Sequence, residues 1–146
     1  MAMPVLADKS GWFTIDVPAG WDRQTLDSVT TLRSPTGVGT VYFSGGRHAA
    51  GRRRSFGRAD FLARFLLSLG IAVDPESIEQ AEGRDCQIFS YRRDSSGAHW
   101  RYWSVTDDET ALLISYTCAA DDSQLESDEV DDIVRSIRLR HSSSVH

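Results

Sequence analysis

The sequence has 146 residues, of which 40% are hydrophobic and 25% are charged, and its formal net charge is −5. These values are typical of one globular domain and exclude collagen-like, disulfide-scaffold and largely disordered chains. We expect a single domain over residues 1–146, with a core at 11–139 and a disordered tail at 140–146. No apolar leader opens the sequence and no run of about 18 apolar residues follows, so we expect a cytoplasmic protein without membrane insertion.

Three strands are predicted in the first third of the chain. Residues Trp12–Val17 alternate apolar and polar side chains, which indicates a strand, and Pro18–Gly20 form a turn after it. Two β-branched runs that begin at Val29 and Val38 predict a hairpin closed by Pro35–Gly37.

A helix is predicted over residues 58–70, because its apolar side chains recur at helical spacing and Gly70 suits a helix end. A short strand is expected around Ile78. Three stronger strands follow, and short polar turns join them into an antiparallel meander. These strands are predicted at Arg84–Arg93, His99–Thr106 and Thr110–Cys118.

A second main helix is predicted over residues 124–138, where Ser123 and Glu126 fit a capping box at its start. The resulting order is β-β-β-α-β-β-β-α. It predicts an α+β fold with a single antiparallel sheet of about six strands, packed by two main helices.

The strand at 99–106 carries aromatic side chains at positions that alternate between its two faces. Trp100 and Tyr102 share one face, and Trp103 shares the other with Val105. An antiparallel sheet covered on one side alternates apolar and polar side chains. This strand does not, so either both faces are packed or one face keeps an exposed aromatic patch.

One stretch, Gly45–Arg58, contains five arginines and a histidine but no carboxylate. Without these arginines the net charge would be −10 rather than −5. The stretch lies between a predicted strand and a predicted helix and is rich in glycine, so we expect Gly45–Gly57 to be a poorly packed crossover. Its alternatives are an unliganded solvated loop, a contact for an acidic protein surface, and an anion or nucleic-acid site.

Short motifs along the chain resemble the PsbP-like family, which has the Mog-type fold. The motifs are "FTIDVPAGW" with Pro18, Gly20 and Trp21, "ISY" at Ile114–Tyr116, and "IVRSI" at Ile133–Ile137. The resemblance covers about residues 11 to 139. It implies a scaffold of sheet and docked helix, since these residues carry no chemistry of their own.

The resemblance implies a role in binding another protein. The family includes a Ran-binding nuclear import factor, photosystem II extrinsic subunits, periplasmic lipoproteins and chaperones of type VI secretion effectors. This sequence shows neither a lipobox cysteine near its start nor a transit-like extension. A bacterial cytoplasmic member is then expected, with the chaperone branch as the nearest analogy.

Catalytic and cofactor sites are weakly indicated. The best nucleophilic arrangement pairs Cys86 with His99 and either Asp85 or Asp94. Cys86 and Cys118 are more simply interpreted as small buried hydrophobic residues, and a disulfide between them stays open. No metal-ligand spacing or phosphate-binding loop is present in the sequence, so no cofactor is expected.

We therefore predict a non-catalytic module that binds a protein, a secretion-associated chaperone or adaptor in the family analogy, with nucleic acid disfavoured. The alternatives are a small hydrolase or ligand-binding enzyme that uses Cys86 and His99, and anion or nucleic-acid binding through Arg47–Arg58. The predicted contact residues are Arg52, Arg53, Arg54, Arg58, Trp100 and Tyr102.

Overall fold

A seven-stranded antiparallel sheet forms the centre of the molecule. The computed structural model describes residues 5–7, 13–26, 29–47, 59–83, 86–106 and 110–139. The order of strands across the main sheet is β3-β4-β5-β9-β8-β7-β6, so the longest strands lie in its middle. The strands are β3 (Asp22–Leu26), β4 (Val29–Arg33), β5 (Gly39–Arg47), β6 (Glu79–Glu82), β7 (Gln87–Ser95), β8 (Ala98–Thr106) and β9 (Thr110–Ala119).

A second, three-stranded antiparallel sheet has the order β1-β2-β10. Its strands are β1 (Val5–Ala7), β2 (Phe13–Asp16) and β10 (Arg138–Leu139). The helix α2 (Ser127–Arg135) immediately precedes β10. The Asp16 backbone N–H donates to Ser136 Oγ at 2.9 Å, which fixes β2 beside the end of this helix.

The predicted α+β class is confirmed, and the main sheet has seven strands where the sequence indicated about six. Three differences explain the count, and the first is β6, which the sequence indicated only as a short strand around Ile78. The opening strand belongs to the small sheet, because its partner β10 lies more than a hundred residues away and local alternation cannot reveal such pairing. The strand β3 was missed because its polar sequence, with Asp22 and Arg23 exposed, carries no strand pattern.

The larger core lies between the main sheet and α2. Helix residues Val130, Ile133 and Val134 are buried against apolar side chains of β4, β5, β7, β8 and β9. The sheet residues in this core are Leu32, Val41, Phe43, Ile88, Trp103, Val105, Leu112, Ile114, Tyr116 and Cys118.

A smaller core occupies the other face of the sheet. The helix α1 (Ala59–Ser68) packs Leu62 and Leu66 on Phe89 of β7 and Tyr102 of β8. Both helices were predicted, and each is shorter than the sequence suggested. The two helices thus lie on opposite faces of the main sheet.

Two predicted turns are confirmed in detail. Gly70 has φ +86°, and its N–H donates to the Leu67 carbonyl while the Ile71 N–H donates to the Leu66 carbonyl. This is the Schellman ending that a glycine allows without strain. The β4–β5 hairpin turns at Pro35–Gly37, where the Gly37 N–H donates to the Ser34 carbonyl at 3.0 Å.

The predicted capping box at the start of α2 is wrong. The helix begins at Ser127, and the Glu126 side chain makes no capping hydrogen bond. Glu126 is instead only 3% exposed, and its carboxylate accepts from Tyr116 Oη at 2.8 Å and from Thr36 Oγ1 at 2.9 Å. Two hydroxyl donors, of which that of Tyr116 is buried, satisfy a carboxylate better than one backbone N–H at a helix end, so the side chain turns inward.

The predicted crossover at Gly45–Gly57 is wrong at its first residues. Residues Gly45–Arg47 belong to β5 and pair with Leu112–Thr110 of the long strand β9, which provides partners for them. Residues 48–58 lie outside the described residues. Among the helices that the structure describes, none is long and apolar enough to cross a membrane.

Candidate functional site

Trp100 and Tyr102 lie side by side on the sheet face that carries α1. Their rings are stacked, with centroids 6.0 Å apart and an angle of 5° between the planes. Residues two apart on a strand point to the same face, so the alternation of side chains along β8 places the two rings next to each other. The sequence placed both residues on one face, and the structure brings them into direct contact.

The two rings differ in exposure. Tyr102 is buried beneath α1, with 6% of its surface accessible, whereas Trp100 is half-buried at the edge of the same cluster. Burial raises the pKa of Tyr102, and the charge of Arg93 partly opposes this effect. Tyr102 therefore supports Trp100 from one side, and Trp100 presents the surface that another molecule could contact.

The half of this face beyond α1 is a polar and aromatic surface, which we call the platform. It comprises Thr40, Tyr42, Trp100, Ser115 and Thr117, all half-buried. Direct register pairing brings Trp100 opposite Thr117 and Thr117 opposite Thr40, while Tyr42 lies opposite Ser115. Directly paired residues share a face, so these five side chains form two adjacent rows across three strands.

An arginine stands at each end of the row that contains Trp100. Arg93 of β7 is paired with Trp100, and Arg33 of β4 is paired with Thr40. Neither arginine has an ion pair among the described residues, although Asp22 is the register partner of Arg33 on β3. The platform therefore has positive charge at both sides in a chain that is acidic as a whole.

The opposite face of β8 is built differently. Trp103 is 2% exposed and lies in the core beneath α2 with Val105. Both alternatives raised by the sequence are therefore realised: each face is packed by a helix, and the α1 face also keeps an aromatic side chain at the surface. Trp103 is therefore not part of the surface that Trp100 presents.

The predicted contact residues Arg52, Arg53, Arg54 and Arg58 lie outside the described residues. Their role stays a prediction. Arg47 is the last residue of β5 and is paired with Thr110.

The structure does not bring Cys86 and His99 together. Cys86 directly precedes Gln87, which pairs with Thr106, whereas His99 lies at the other end of the same strand. Seven residues of strand separate the two positions, a distance of about 23 Å. The proposed catalytic pair of Cys86 and His99 is therefore wrong, because pairing places them at opposite ends of the meander.

His99 instead joins a row with Asp94 and Cys118. Its Nδ1 lies 2.6 Å from Asp94 Oδ1, and Cys118 is its register partner on β9. Burial raises the pKa of the Cys118 thiol, and nearby carboxylates add to the increase while a hydrogen bond with Tyr116 opposes it. A neutral thiol is a poor nucleophile, so this row does not have the electrostatics of an activated cysteine.

Cys86 and Cys118 form no disulfide, and of the two only Cys118 is buried, as the interpretation as small buried hydrophobic residues requires. Within the part of the chain that the structure describes, no three histidine, cysteine or acidic side chains group closely enough to hold a metal ion.

Most of the platform was not predictable from the sequence. Tyr42, Ser115 and Thr117 lie in predicted strands, but their side chains alternate with core residues and indicate no binding role by themselves. Only the pairing of β5, β9 and β8 brings them beside Trp100. The one available signal in the sequence was Tyr42, an aromatic residue on the strand face opposite that of Val41 and Phe43.

No family model matches the sequence, and a search of curated proteins returns no match. Solved structures are similar in fold. A protein of Bacteroides thetaiotaomicron has a TM-score of 0.68 at 16% identity, over 100% of this chain and 52% of that chain. This chain thus spans about half the length of the Bacteroides protein.

Two further structures match over most of their lengths. Cyanobacterial PsbP (CyanoP) from Synechocystis has a TM-score of 0.68 at 12% identity, over 94% of this chain and 92% of that one. The Ran-binding protein Mog1p of Saccharomyces cerevisiae has a TM-score of 0.58 at 9% identity, over 98% of each chain. The chain therefore has the PsbP/Mog1-like fold that its motifs predicted.

Proposed function

We propose that this chain is a non-catalytic protein-binding module whose platform contacts an acidic surface of its partner. The observation that carries this proposal is the position of Trp100, half-buried on the sheet face and stacked on the buried ring of Tyr102. Tryptophan, tyrosine and arginine are the residues most often found at the energetic centres of protein interfaces.

The stacking of Trp100 on Tyr102 favours binding because it lowers the entropic cost of association. A side chain that is already held in one orientation loses little freedom when a partner covers it. Tyr42 and the hydroxyls of Thr40, Ser115 and Thr117 lie on a rigid sheet and add hydrogen-bonding capacity around the aromatic ring. The platform is therefore preorganised.

The charge distribution supports an acidic partner. Arg93 and Arg33 flank the platform, and a guanidinium group binds carboxylates through two parallel hydrogen bonds. In this proposal Trp100 is the anchor, Tyr102 holds it in place, and the arginines select the partner by charge. Arg52, Arg53, Arg54 and Arg58 are proposed to extend the basic surface from the edge of the sheet.

The cellular role that we propose is that of a chaperone or adaptor in the cytoplasm, associated with secretion. The support for a binding role is the shared fold, since Mog1p is itself a Ran-binding protein. Fold alone does not specify a partner. The enzyme alternative loses its principal residue pair, because Cys86 and His99 lie far apart.

Site-specific photo-crosslinking in cells of the source organism tests the proposal. A benzoylphenylalanine at Thr117, between Trp100 and Thr40, is expected to capture an acidic protein, whereas the same group at the exposed Asp132 of α2 is not. The captured protein is then purified and titrated. Trp100→Ala is expected to weaken its binding about 30-fold, the effect of losing an interface anchor.

Two results would reject the proposal. Capture that is equal from Thr117 and Asp132, or an affinity that Trp100→Ala leaves unchanged, would show that the platform is not the binding surface. Because Trp100 is half-buried at the edge of its cluster, the variant is checked for native near-ultraviolet circular dichroism before titration.

A further inference from the structure

A groove lies on the face opposite the platform, between α2 and the outer strands β6 and β7. Its volume is about 210 Å³. The register places Glu79, Ser90 and Trp103 in one row of its floor and Arg92 with Arg101 in the next. Helix α2 forms the other wall through Asp131, Val134 and Arg135.

Arg101 is the unusual group in this groove. It is 8% exposed, and its guanidinium carbon lies 4.5 Å from the centroid of the Trp103 ring. Among the described residues, its one ion pair joins Nη1 to Asp131 Oδ1 at 2.8 Å, and its Nε is buried with no hydrogen-bond partner. A buried cationic N–H without an acceptor is costly, so this site gains free energy when an acceptor arrives.

The side of the Arg101 guanidinium that carries Nε is suited to bind a carboxylate. Asp131 contacts Nη1, and Nε has no acceptor among the described residues. The edge formed by Nε and Nη2 matches the two oxygens of a carboxylate. The Nε atom is shielded from solvent in the present arrangement. A ligand carboxylate therefore has to draw the guanidinium a short way off Trp103 toward the groove.

The rim of the groove adds positive charge. Arg135 is exposed and has no ion pair among the described residues, and Arg92 has only a long contact of 3.5 Å with the exposed Glu79. Three arginines thus face two carboxylates, Glu79 and Asp131. The excess of cations favours an anion, and the deeper arginine gives it a fixed position.

The remaining wall is apolar. Trp103, Ile88 and Val134 line the groove beside the guanidinium. The volume is below the roughly 300–1,000 Å³ that is usual for sites of drug-sized ligands. It suits one apolar side chain together with its carboxylate.

We propose that this groove is a binding site for an apolar carboxylate, either a small organic acid or the C-terminal residue of a peptide. The carboxylate binds Arg101 and is attracted by Arg135 at the rim, and the apolar group lies on Trp103 and Val134. The site is separate from the platform, so it goes beyond the proposed function and does not depend on it.

Heteronuclear NMR titration of the whole protein tests this site. The probes are N-acetyl-phenylalanine and a hexapeptide that ends in phenylalanine, each compared with its C-terminal amide. Binding of an acid is expected to shift the Nε–H resonance of Arg101 and the indole N–H of Trp103, because both groups adjoin the ligand. The amides are expected to leave these resonances in place.

The two acids distinguish the source of the ligand. If only the hexapeptide acid binds, the groove recognises a peptide C-terminus, and if N-acetyl-phenylalanine binds equally well, it recognises small organic acids. Either result supports the carboxylate site. Failure of both acids, or equal binding of acids and amides, overturns it.

Variants locate the binding within the groove. Arg135→Gln is expected to weaken acid binding about tenfold through loss of a charge-assisted contact. Arg138→Gln is the matched control, since Arg138 is exposed three residues away on β10 and does not line the groove. Arg101→Gln is expected to abolish binding, provided that its NMR spectrum shows a native fold. Unchanged affinity in Arg135→Gln contradicts the proposal without relying on the buried variant.

Discussion

Tyr116 donates its hydroxyl to Glu126 across 2.8 Å, and both side chains are buried. The bond joins the central strand β9 to the residue that precedes α2. Thr36, in the β4–β5 turn, donates to the other oxygen of the same carboxylate at 2.9 Å. One acidic side chain thus holds a strand, a turn and a helix start together, and the position of α2 over the groove depends on it.

Removal of the Tyr116 hydroxyl is expected to destabilise the fold. Tyr116→Phe should lower the free energy of unfolding by about 2 kcal/mol, since it takes one donor from a buried carboxylate. Urea denaturation measures the change. Tyr42→Phe is the control, because Tyr42 lies half-buried on the platform, and it should change the free energy by less than about 0.5 kcal/mol. Equal losses in the two variants would contradict the role assigned to Glu126.

Gly39 is expected to tolerate no larger side chain. A Cβ at this position would overlap the hydroxyl and ring of Tyr116, which crosses the backbone there to reach Glu126. Gly39→Ala should therefore cost about 3 kcal/mol of stability. The cost should fall when Tyr116→Ala is also present, and a double-mutant cycle by urea denaturation measures this coupling. Strict additivity would show that the two residues do not share the space.

Stability is expected to fall in alkaline solution. Burial and the hydrogen bond to Glu126 raise the pKa of Tyr116 above the ordinary value of 10.0, and burial raises the pKa of Cys118 above 9.0. The unfolded chain then releases these protons at lower pH than the folded chain, so rising pH favours unfolding. Each group lowers the free energy of unfolding by up to about 1.4 kcal/mol per pH unit once its unfolded form ionises.

Urea unfolding from about pH 8 to about pH 11 measures this slope. Tyr116→Phe should give a shallower decline, because phenylalanine has no proton to release. A variant with the same slope as the parent would mean that Tyr116 does not contribute to the alkaline loss.

The two thiols are expected to react at different rates. Cys118 is buried and its raised pKa keeps it protonated, so a thiol reagent should modify it only when the sheet opens. Cys86 is partly exposed beside Gly83 and should react first. Single-cysteine variants, followed with a chromogenic disulfide reagent, separate the two rates. Fast labelling of Cys118 in the native protein would contradict its burial.

Much of the fold was predictable from local patterns. The meander of β7, β8 and β9 follows from dense β-branched and aromatic residues, and Gly70 marks the end of α1 because only glycine adopts that ending freely. The β4–β5 turn was predictable for the same reason at Gly37. These features depend on a few adjacent residues.

Long-range pairing was not predictable. The separation of Cys86 from His99 depends on the register of β7 and β8, and the alignment of His99 with Cys118 depends on β9. Glu126 fitted a capping box by sequence, yet the distant hydroxyls of Thr36 and Tyr116 bind its carboxylate. The platform was not predictable for the same reason, because it also depends on the pairing of β9 with the distant strand β5.

The outermost strand β6 has a consequence for self-association. All four of its residues are exposed, and among the described residues no strand pairs with its outer side. Glu79 and Glu82 place negative charges along this edge, and charged edges oppose pairing between copies. Replacement of both by valine should turn the edge into a template for a second sheet, visible as growth in light scattering. Two glutamates thus oppose the addition of an eighth strand to the sheet.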